Sequence, residues 1–463
     1  MVAQDFDLIV IGSGPAGQKG AIAAAKARKH VAIVDRGRMI GGVCVHTGTI
    51  PSKTLREAIL QLIGFTDRSI YGRDFRVSDA GVSVQDLAFR VKTIVGRETE
   101  VIYSQLRRNG VAIYEGAGQF VDPHTVEVAS DTGTQTLHGE FILVACGTRP
   151  AHSPEIPLDG KRILDSDQFI GITTVPREMI VVGAGVVGLE YGSFMSALGA
   201  EVTLVDQRPH ILDFVDQEIL EALMYHLRRH GAVFRLGEKV MSVGVDEKRD
   251  QVFAELESGK RIHGDNLLYA VGRQANSDLI GIEKAGLQAD SWGRICVNEF
   301  FQTPVPHIYA AGDIVGFPAL ASTSMEQGRL ASCHMFGMPL EHYSESFPYG
   351  IYTIPEISMV GMTEAKLTAA KVPYEIGIAR YSELAKSMML GDEDGMLKLI
   401  FDRNTLKLLG VHAIGERATE IIHIGQAVLA LGGTIKYFRD TVFNYPTLAE
   451  AYKVAAFDGL NRL

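Results

Sequence analysis

Cysteine is scarce. Cys44, Cys146, Cys296 and Cys333 are scattered over 463 positions. That scatter excludes a disulfide framework and fits a reducing compartment. It offers no spacing for an iron–sulfur cluster. His412 and His423 lie 11 residues apart with no closing cysteine or acid, so no metal is expected. Long apolar runs are missing too. No stretch of 18 apolar residues is free of charge, so no membrane-spanning helix is expected. Near the N-terminus, Asp5 and Asp7 lead straight into a strand, with no basic region followed by an apolar segment. A cytoplasmic location is the expectation. Positive charge is in deficit: 45 Lys and Arg against 55 Asp and Glu give a formal charge of -10. A nucleic-acid partner is not expected.

What is abundant is glycine, 49 residues, within a chain that is 46% hydrophobic. This composition suits an α/β protein with many tight strand-to-helix turns. The length exceeds what one core serves and predicts two to four domains.

Two stretches share one pattern. Phe6 to Ile11 reads as a strand and runs into Gly12-Ser-Gly14-Pro-Ala-Gly17. An alanine-rich helix is predicted over Ala21 to Arg28, then a strand from Val31 to Val34 that ends at Asp35. In such a unit the first glycine makes the turn, the second admits a pyrophosphate, and the third lets helix and strand pack closely. Phosphate oxygens sit at the helix N-terminus, where amides are unpaired. Asp35 falls 23 residues after Gly12, where a carboxylate meets a ribose diol. Met179 to Val182 opens the second copy, Gly183-Ala-Gly185-Val-Val-Gly188. Its second strand, Val202 to Val205, ends at Asp206, again 23 residues after the first glycine. Two copies predict two dinucleotides, with electrons able to pass between them.

Other elements follow from periodicity. Helices are predicted over 53–63, with Leu55, Ile59 and Leu62 on one face, and over 87–106, 216–228, 325–336, 363–368 and 418–431. Strands are predicted at 111–114, 116–120, 141–145, 267–271, 308–311, 351–356, 395–401 and 408–414, with small strands and hairpins over 233–268. Residues 64–83 read as surface structure. Met325, Met335 and Cys146 read as packing.

The segment from Asp35 to Lys53, DRGRMIGGVCVHTGTIPSK, follows the first dinucleotide unit. It closely resembles the redox-disulfide segment of the lipoamide dehydrogenase and glutathione reductase family. In that family the form is cysteine, four residues, cysteine, then Ile-Pro-Ser-Lys. Here Cys44 stands at the first position and Thr49 at the second, and a threonine closes no disulfide. The resemblance runs end to end. Gly147-Thr-Arg-Pro150 resembles the crossover from FAD domain to NAD domain. Thr303 to Asp313, TPVPHIYAAGD, resembles the second FAD contact, where Asp313 accepts ribityl or backbone hydrogens. Near the C-terminus the family has His-Pro-Thr, two residues, then Glu; this chain has Tyr445-Pro-Thr, Leu, Ala, Glu450. The second cysteine and the general base are both replaced.

The family likeness implies an α/β fold with two Rossmann-like dinucleotide-binding domains and an α+β C-terminal dimerisation domain. The implied boundaries are 1–150 for the first part of the FAD-binding domain, 151–272 for the NAD(P)-binding domain, 273–345 for the FAD-binding return segment and 346–463 for the dimerisation domain. It implies one non-covalent FAD per chain, NAD(H) and NADP(H) as substrates, and a homodimer or higher homo-oligomer. Gly12, Gly14, Gly17, Asp35, Gly42, Gly147 and Asp313 are the implied FAD contacts. Gly183, Gly185, Gly188, Asp206, Arg208 and Gly272 are those for the nicotinamide dinucleotide. Lys53 is implied beside flavin N5, paired with Glu190. Cys44 remains as a neutral thiol near the flavin, and Tyr445 and Glu450 shape the pocket across a dimer interface.

The residues 48–53 and 443–447 resemble the soluble pyridine nucleotide transhydrogenases within that family. This implies hydride transfer from NADPH to FAD and then to NAD+, reversibly, through one nicotinamide site used twice. The other reading is an NAD(P)H dehydrogenase, or diaphorase, passing electrons to a quinone, dye or oxygen. It shares every cofactor motif. Asp206 suits the NAD(H) ribose, and Arg208, two residues on, could reach a 2'-phosphate.

Overall fold

The computed structural model of the chain describes residues 4–36, 39–63, 84–340, 346–392 and 394–463. Residues 64–83, read above as surface structure, lie outside them.

The first glycine turn belongs to a seven-stranded sheet. Gln4–Ile11 lies centrally, parallel to Val31–Asp35 on one side and to Gly133–Val144 on the other. Gly133–Val144 is long enough to serve two more neighbours along its other edge. Its first half pairs antiparallel with Thr125–Ser130, and its last residues pair parallel with Ile308–Ala310. Ile308–Ala310 thus joins the sheet from far along the chain and brings Asp313 to the same sheet end as Gly12. The second glycine turn belongs to a five-stranded parallel sheet, in the order Val233–Leu236, Glu201–Asp206, Glu178–Val182, Asn266–Tyr269, Ile163–Asp165. Its central strands are buried on both faces and read as apolar runs rather than alternations. Thr148–Pro150 and Arg273–Ala275 pair antiparallel where the chain leaves and re-enters the first unit. The C-terminal part is a five-stranded antiparallel sheet, Tyr349–Ile351, Ile357–Gly361, Leu408–Ile414, Met396–Asp402, Tyr374–Arg380.

The sequence reading needs correction in several places, among them the helix placed at 325–336, which is Ala321–Met335, and the strand placed at 141–145, which is Gly133–Val144. The first helix is Pro15–Lys26, not 21–28. Proline fits its first turn, where no N–H is needed, and Arg28 has left the helix with φ 63°. The helix that carries Lys53 is Thr49–Ile63 and starts ahead of Pro51. Gly42–His46, for which no element was predicted, forms a short helix that carries Cys44. The strand placed at 351–356 ends at Ile351, and the next begins at Ile357. The reading also gave no element at Tyr374–Arg380, a strand, or at Glu450–Leu460, a helix.

One core ties the parts together. Leu55 and Ile59 of helix Thr49–Ile63 pack in the same cluster as Leu189 and Phe194 of helix Val186–Ala197 and as Ile351, Ile354 and Ile357 of the C-terminal part. Leu55, Ile59 and Leu62 point inward at helical spacing, and Arg56 is buried beside them. Among the described residues no helix is long and apolar enough to cross a membrane.

Candidate active site

The two glycine turns repeat atom for atom at their working positions. A Cβ on Gly17 would stand 1.9 Å from the Gly12 carbonyl oxygen, and one on Gly188 would stand 1.9 Å from that of Gly183. These glycines are closed by packing. Gly14 and Gly185 meet nothing within 4 Å, so the middle position of each turn faces open space at a helix N-terminus. That open space is what a pyrophosphate needs. The acids repeat as well. Asp35 accepts the Ser13 N–H at 2.6 Å and the Ser13 hydroxyl, and that hydroxyl accepts the Gly41 N–H at 2.9 Å. Asp206 accepts the Ala184 N–H at 2.8 Å. Each carboxylate therefore fastens the turn of its own unit.

Burial raises the Asp35 carboxyl above its ordinary pKa, against the pull of the Ser13 hydrogen bonds. Asp206 goes the other way. Burial works against its charge, yet the Arg208 guanidinium and the Arg208 and Ala184 amides hold it below the usual carboxylate range. Arg208 grips it through two parallel hydrogen bonds of 2.9 and 2.7 Å. The two residues expected to face a nucleotide in opposition are thus bound to each other. Asp206 is buried, and Arg208 is half exposed.

A cleft of about 860 Å3 runs from the first turn to the start of helix Val186–Ala197. It falls in the upper part of the usual range for small-molecule sites, about 300–1,000 Å3. Gly12, Gly14, Asp35, Gly42, Cys44, Lys53, Gly147, Asp313 and Glu190 all line it. Asp313 accepts a hydrogen bond from the Thr148 hydroxyl at 3.2 Å. The ends of one dinucleotide pocket, Gly14 and Asp35, and a second sheet-end acid, Asp313, therefore share one cavity. These residues fit FAD. Gly17, Gly183, Gly185, Gly188, Asp206, Arg208 and Gly272 lie off this cleft.

In the middle of the cleft, Lys53 Nζ lies 2.6 Å from Glu190 Oε2. The lysine side chain is 25% exposed and the glutamate 5%, so the pair opens toward the cleft on the lysine side. Cys44 and Thr49 flank it. Burial raises the Cys44 thiol, and the Thr49 hydroxyl beside it only partly opposes this. The thiol is therefore held protonated. Among the described residues no disulfide joins any of the four cysteines.

Tyr445 and Glu450 do not reach the cleft of their own chain. Tyr445 is 72% exposed. Glu450 begins the helix Glu450–Leu460, with a buried carboxylate oxygen that has no hydrogen-bond partner among the described residues. His412 is buried and donates from Nε2 to the Met362 carbonyl at 2.9 Å. His423 lines the cleft and pairs with Gln426. Acidic side chains with metal-ligand spacing, Asp216, Glu218 and Glu364, surround the Lys398 ammonium, which fills the space between them.

Sequence reasoning missed the C-terminal wall of the cleft. Tyr349, Tyr352, Thr419 and Ile422 line it. Tyr349, with its hydroxyl pushed up to about 12 by burial and then by Glu190, is neutral. No local motif announces these residues. The one available signal was Glu190, a carboxylate in an otherwise apolar helix, which needs partners on several sides.

Two dinucleotide turns, one cleft and a lysine–carboxylate pair at its centre define an FAD-dependent oxidoreductase of pyridine nucleotides. The family models for pyridine nucleotide-disulphide oxidoreductase and for its dimerisation domain match residues 6–328 and 347–456. The chain belongs to the pyridine nucleotide-disulphide oxidoreductase family. It is 51% identical over 462 residues to the soluble pyridine nucleotide transhydrogenase of Mycobacterium tuberculosis, covering 99% of this chain and 98% of that one. It is 44% identical to the protein of that name from Klebsiella pneumoniae, covering 99% of each chain. Among solved structures it is similar to LpdA from Mycobacterium tuberculosis, with TM-score 0.89, 26% identity and coverage of 98% and 99%. The flavoprotein disulfide reductase RclA from Escherichia coli shares the fold, with TM-score 0.87 at 24% identity over 97% and 99% of the two chains.

Proposed function

We propose that this chain is a transhydrogenase that moves hydride reversibly from NADPH to NAD+ through one non-covalent FAD. The observation that carries the reading is the segment from Cys44 to Thr49 beside the Lys53–Glu190 pair. Cys44 faces a hydroxyl, Thr49, and its own thiol is held protonated. Such a segment has no dithiol to exchange with a disulfide, while both dinucleotide turns are complete. The relatives named as transhydrogenases cover the chain end to end and support the same reading.

Bound FAD supplies an acceptor and donor of hydride, so the two dinucleotides need never meet. Gly14 and the helix behind it bind its pyrophosphate, and Asp35 its adenosine ribose. Asp313 and Gly147 hold the far part of the cofactor. Lys53 sets a positive charge beside the flavin ring, and Glu190 keeps the ammonium in place. Gly185 receives the pyrophosphate of either nicotinamide dinucleotide. Asp206 meets the ribose diol of NAD(H), and Arg208 meets the 2'-phosphate of NADP(H). The overall exchange, NADPH + NAD+ to NADP+ + NADH, releases no proton, which suits a site whose thiol stays protonated. Glu450 and Tyr445, both off the cleft of their own chain, complete the site from a partner copy in a homodimer. The change of sheets along the chain supports a division into residues 1–150, 151–272, 273–345 and 346–463.

The experiment is anaerobic. Purified protein is mixed with NADPH and an NAD+ analogue whose reduced form absorbs at its own wavelength, and both nucleotides are followed. Equimolar exchange with ping-pong kinetics is expected. NADPH oxidation that needs a quinone, dye or oxygen and ignores the analogue would defeat the reading.

A further inference from the structure

Lys53 is held on two sides, and Glu190 accounts for only one. The Tyr352 ring is on the other, with its centroid 4.9 Å from Nζ. The Tyr352 backbone N–H donates to Glu190 Oε1 at 2.9 Å, so the same residue also grips the carboxylate. No sheet holds the segment that carries it, because one strand ends at Ile351 and the next begins at Ile357. The Ser193 hydroxyl accepts the Ile354 N–H at 3.0 Å, and Arg56 also holds the segment, one turn beyond Lys53 on the same helix. Its Nε donates to the Thr353 carbonyl at 3.1 Å, and its guanidinium meets Glu356 at 3.1 Å. The two side chains are only 5% and 4% exposed. Glu356 also accepts the Thr419 N–H and hydroxyl, and Thr419 stands beside the Tyr352 hydroxyl.

A buried ion pair is costly to desolvate, and apolar residues of similar size often pack as stably. Stability is therefore a poor account of Arg56 and Glu356. Direction is a better one. Two cations on one helix grip a single short segment, and that segment presents an aromatic face to the cation in the cleft.

We propose that Tyr352 is a positioning residue for hydride exchange: its ring confines the Lys53 ammonium, its N–H orients Glu190, and the Arg56–Glu356 brace fixes both. A second carboxylate in its place would neutralise Lys53. An aromatic face holds an ammonium by its quadrupole and leaves the positive charge available to the flavin ring. The inference rests on reading Lys53 as the cation beside FAD.

The test uses the holoenzyme with Tyr352→Met, Tyr352→Phe and Tyr352→Trp. Two quantities are read: the midpoint potential of the bound flavin, and the rate of its reduction by NADPH at saturation in anaerobic stopped flow. Methionine is expected to slow reduction about 3- to 30-fold, the span of a cation–π contact, and to lower the potential, with a smaller change in NADPH affinity. Phenylalanine and tryptophan keep the ring and are expected to stay near wild type in both. A potential that does not move across the series, or a phenylalanine variant as impaired as methionine, would overturn the proposal. Should the methionine variant lose its flavin, the phenylalanine and tryptophan potentials still decide it, since a drop in either contradicts a role for the ring. Flavin reduction is read before any NAD+ is added. A failure of transhydrogenation therefore leaves this result standing, and the reverse also holds.

Discussion

Asp206 and Arg208 are hydrogen-bonded to each other, and the proposed function gives each a second partner for the same atoms. A ribose diol would recruit the carboxylate, and a 2'-phosphate the guanidinium. Arg208→Ala is expected to weaken NADPH use more than NADH use. Asp206→Ala frees the arginine and removes the repelling charge, so it should weaken NADH use and favour NADPH. Charge-assisted hydrogen bonds are worth about 1.5–3 kcal/mol, so changes of roughly 10- to 100-fold in relative kcat/KM are expected, at the lower end where Arg208 meets solvent. Equal losses for both nucleotides would retire the discrimination. Cys44 makes the opposite kind of prediction. Its thiol is raised by burial, so Cys44→Ser should leave transhydrogenation within about threefold of wild type. Alkylation at neutral pH should be slow, and rapid labelling with loss of activity would refute this.

The glycine turns could be read at the level of elements because each depends on single-residue sterics. A missing Cβ leaves a mark that needs no knowledge of the rest of the chain. Gly188→Ala drives a methyl to 1.9 Å from the Gly183 carbonyl. It should disrupt the second turn and abolish nucleotide-dependent flavin reduction, while dithionite still bleaches the bound FAD. Gly17→Ala makes the same collision in the first turn, and there the FAD content itself should fall. Pro15–Lys26 was misplaced because its first turn is proline and glycine, residues of poor helix propensity that are tolerated only at a helix start. The 351–356 stretch was misread because apolar residues there pack into the core without pairing as a strand. The Tyr352 wall could not be read at all. Arg56 and Thr353 are 297 positions apart, and no local pattern couples them.

On the scale of the whole molecule, charge joins what the glycine turns leave separate. Lys398, fully buried in the C-terminal sheet, meets Asp216 and Glu218 at the start of helix Gln217–Arg229 in the second unit, and also Glu364. Burial opposes its charge, but the three carboxylates outweigh that and raise its pKa above the ordinary 10.5. A raised folded-state pKa means that the contribution is complete below about 10.5 and is lost as the pH climbs beyond it. Lys398→Met strands Asp216 in the interior. It should cost about 3 kcal/mol in denaturant titrations at neutral pH, short of the largest values because Glu218 and Glu364 reach solvent. Wild type and variant should converge in strong alkali. A neutral-pH difference below about 1 kcal/mol would mean that the joint is held by packing alone.

The grip of Arg56 on Glu356 has a consequence for how the chain is made. Synthesis runs from the N-terminus, and domains begin to fold as they emerge. Both glycine turns are complete by Asp206, yet Arg56 waits for a carboxylate 300 positions downstream. A ribosome-bound chain halted before Glu356 would leave the Arg56 guanidinium with the half-exposed Glu57 as its one carboxylate, where the finished core is closed. Helix Thr49–Ile63 should therefore stay open to protease in such a chain and become protected only once the last quarter has been translated.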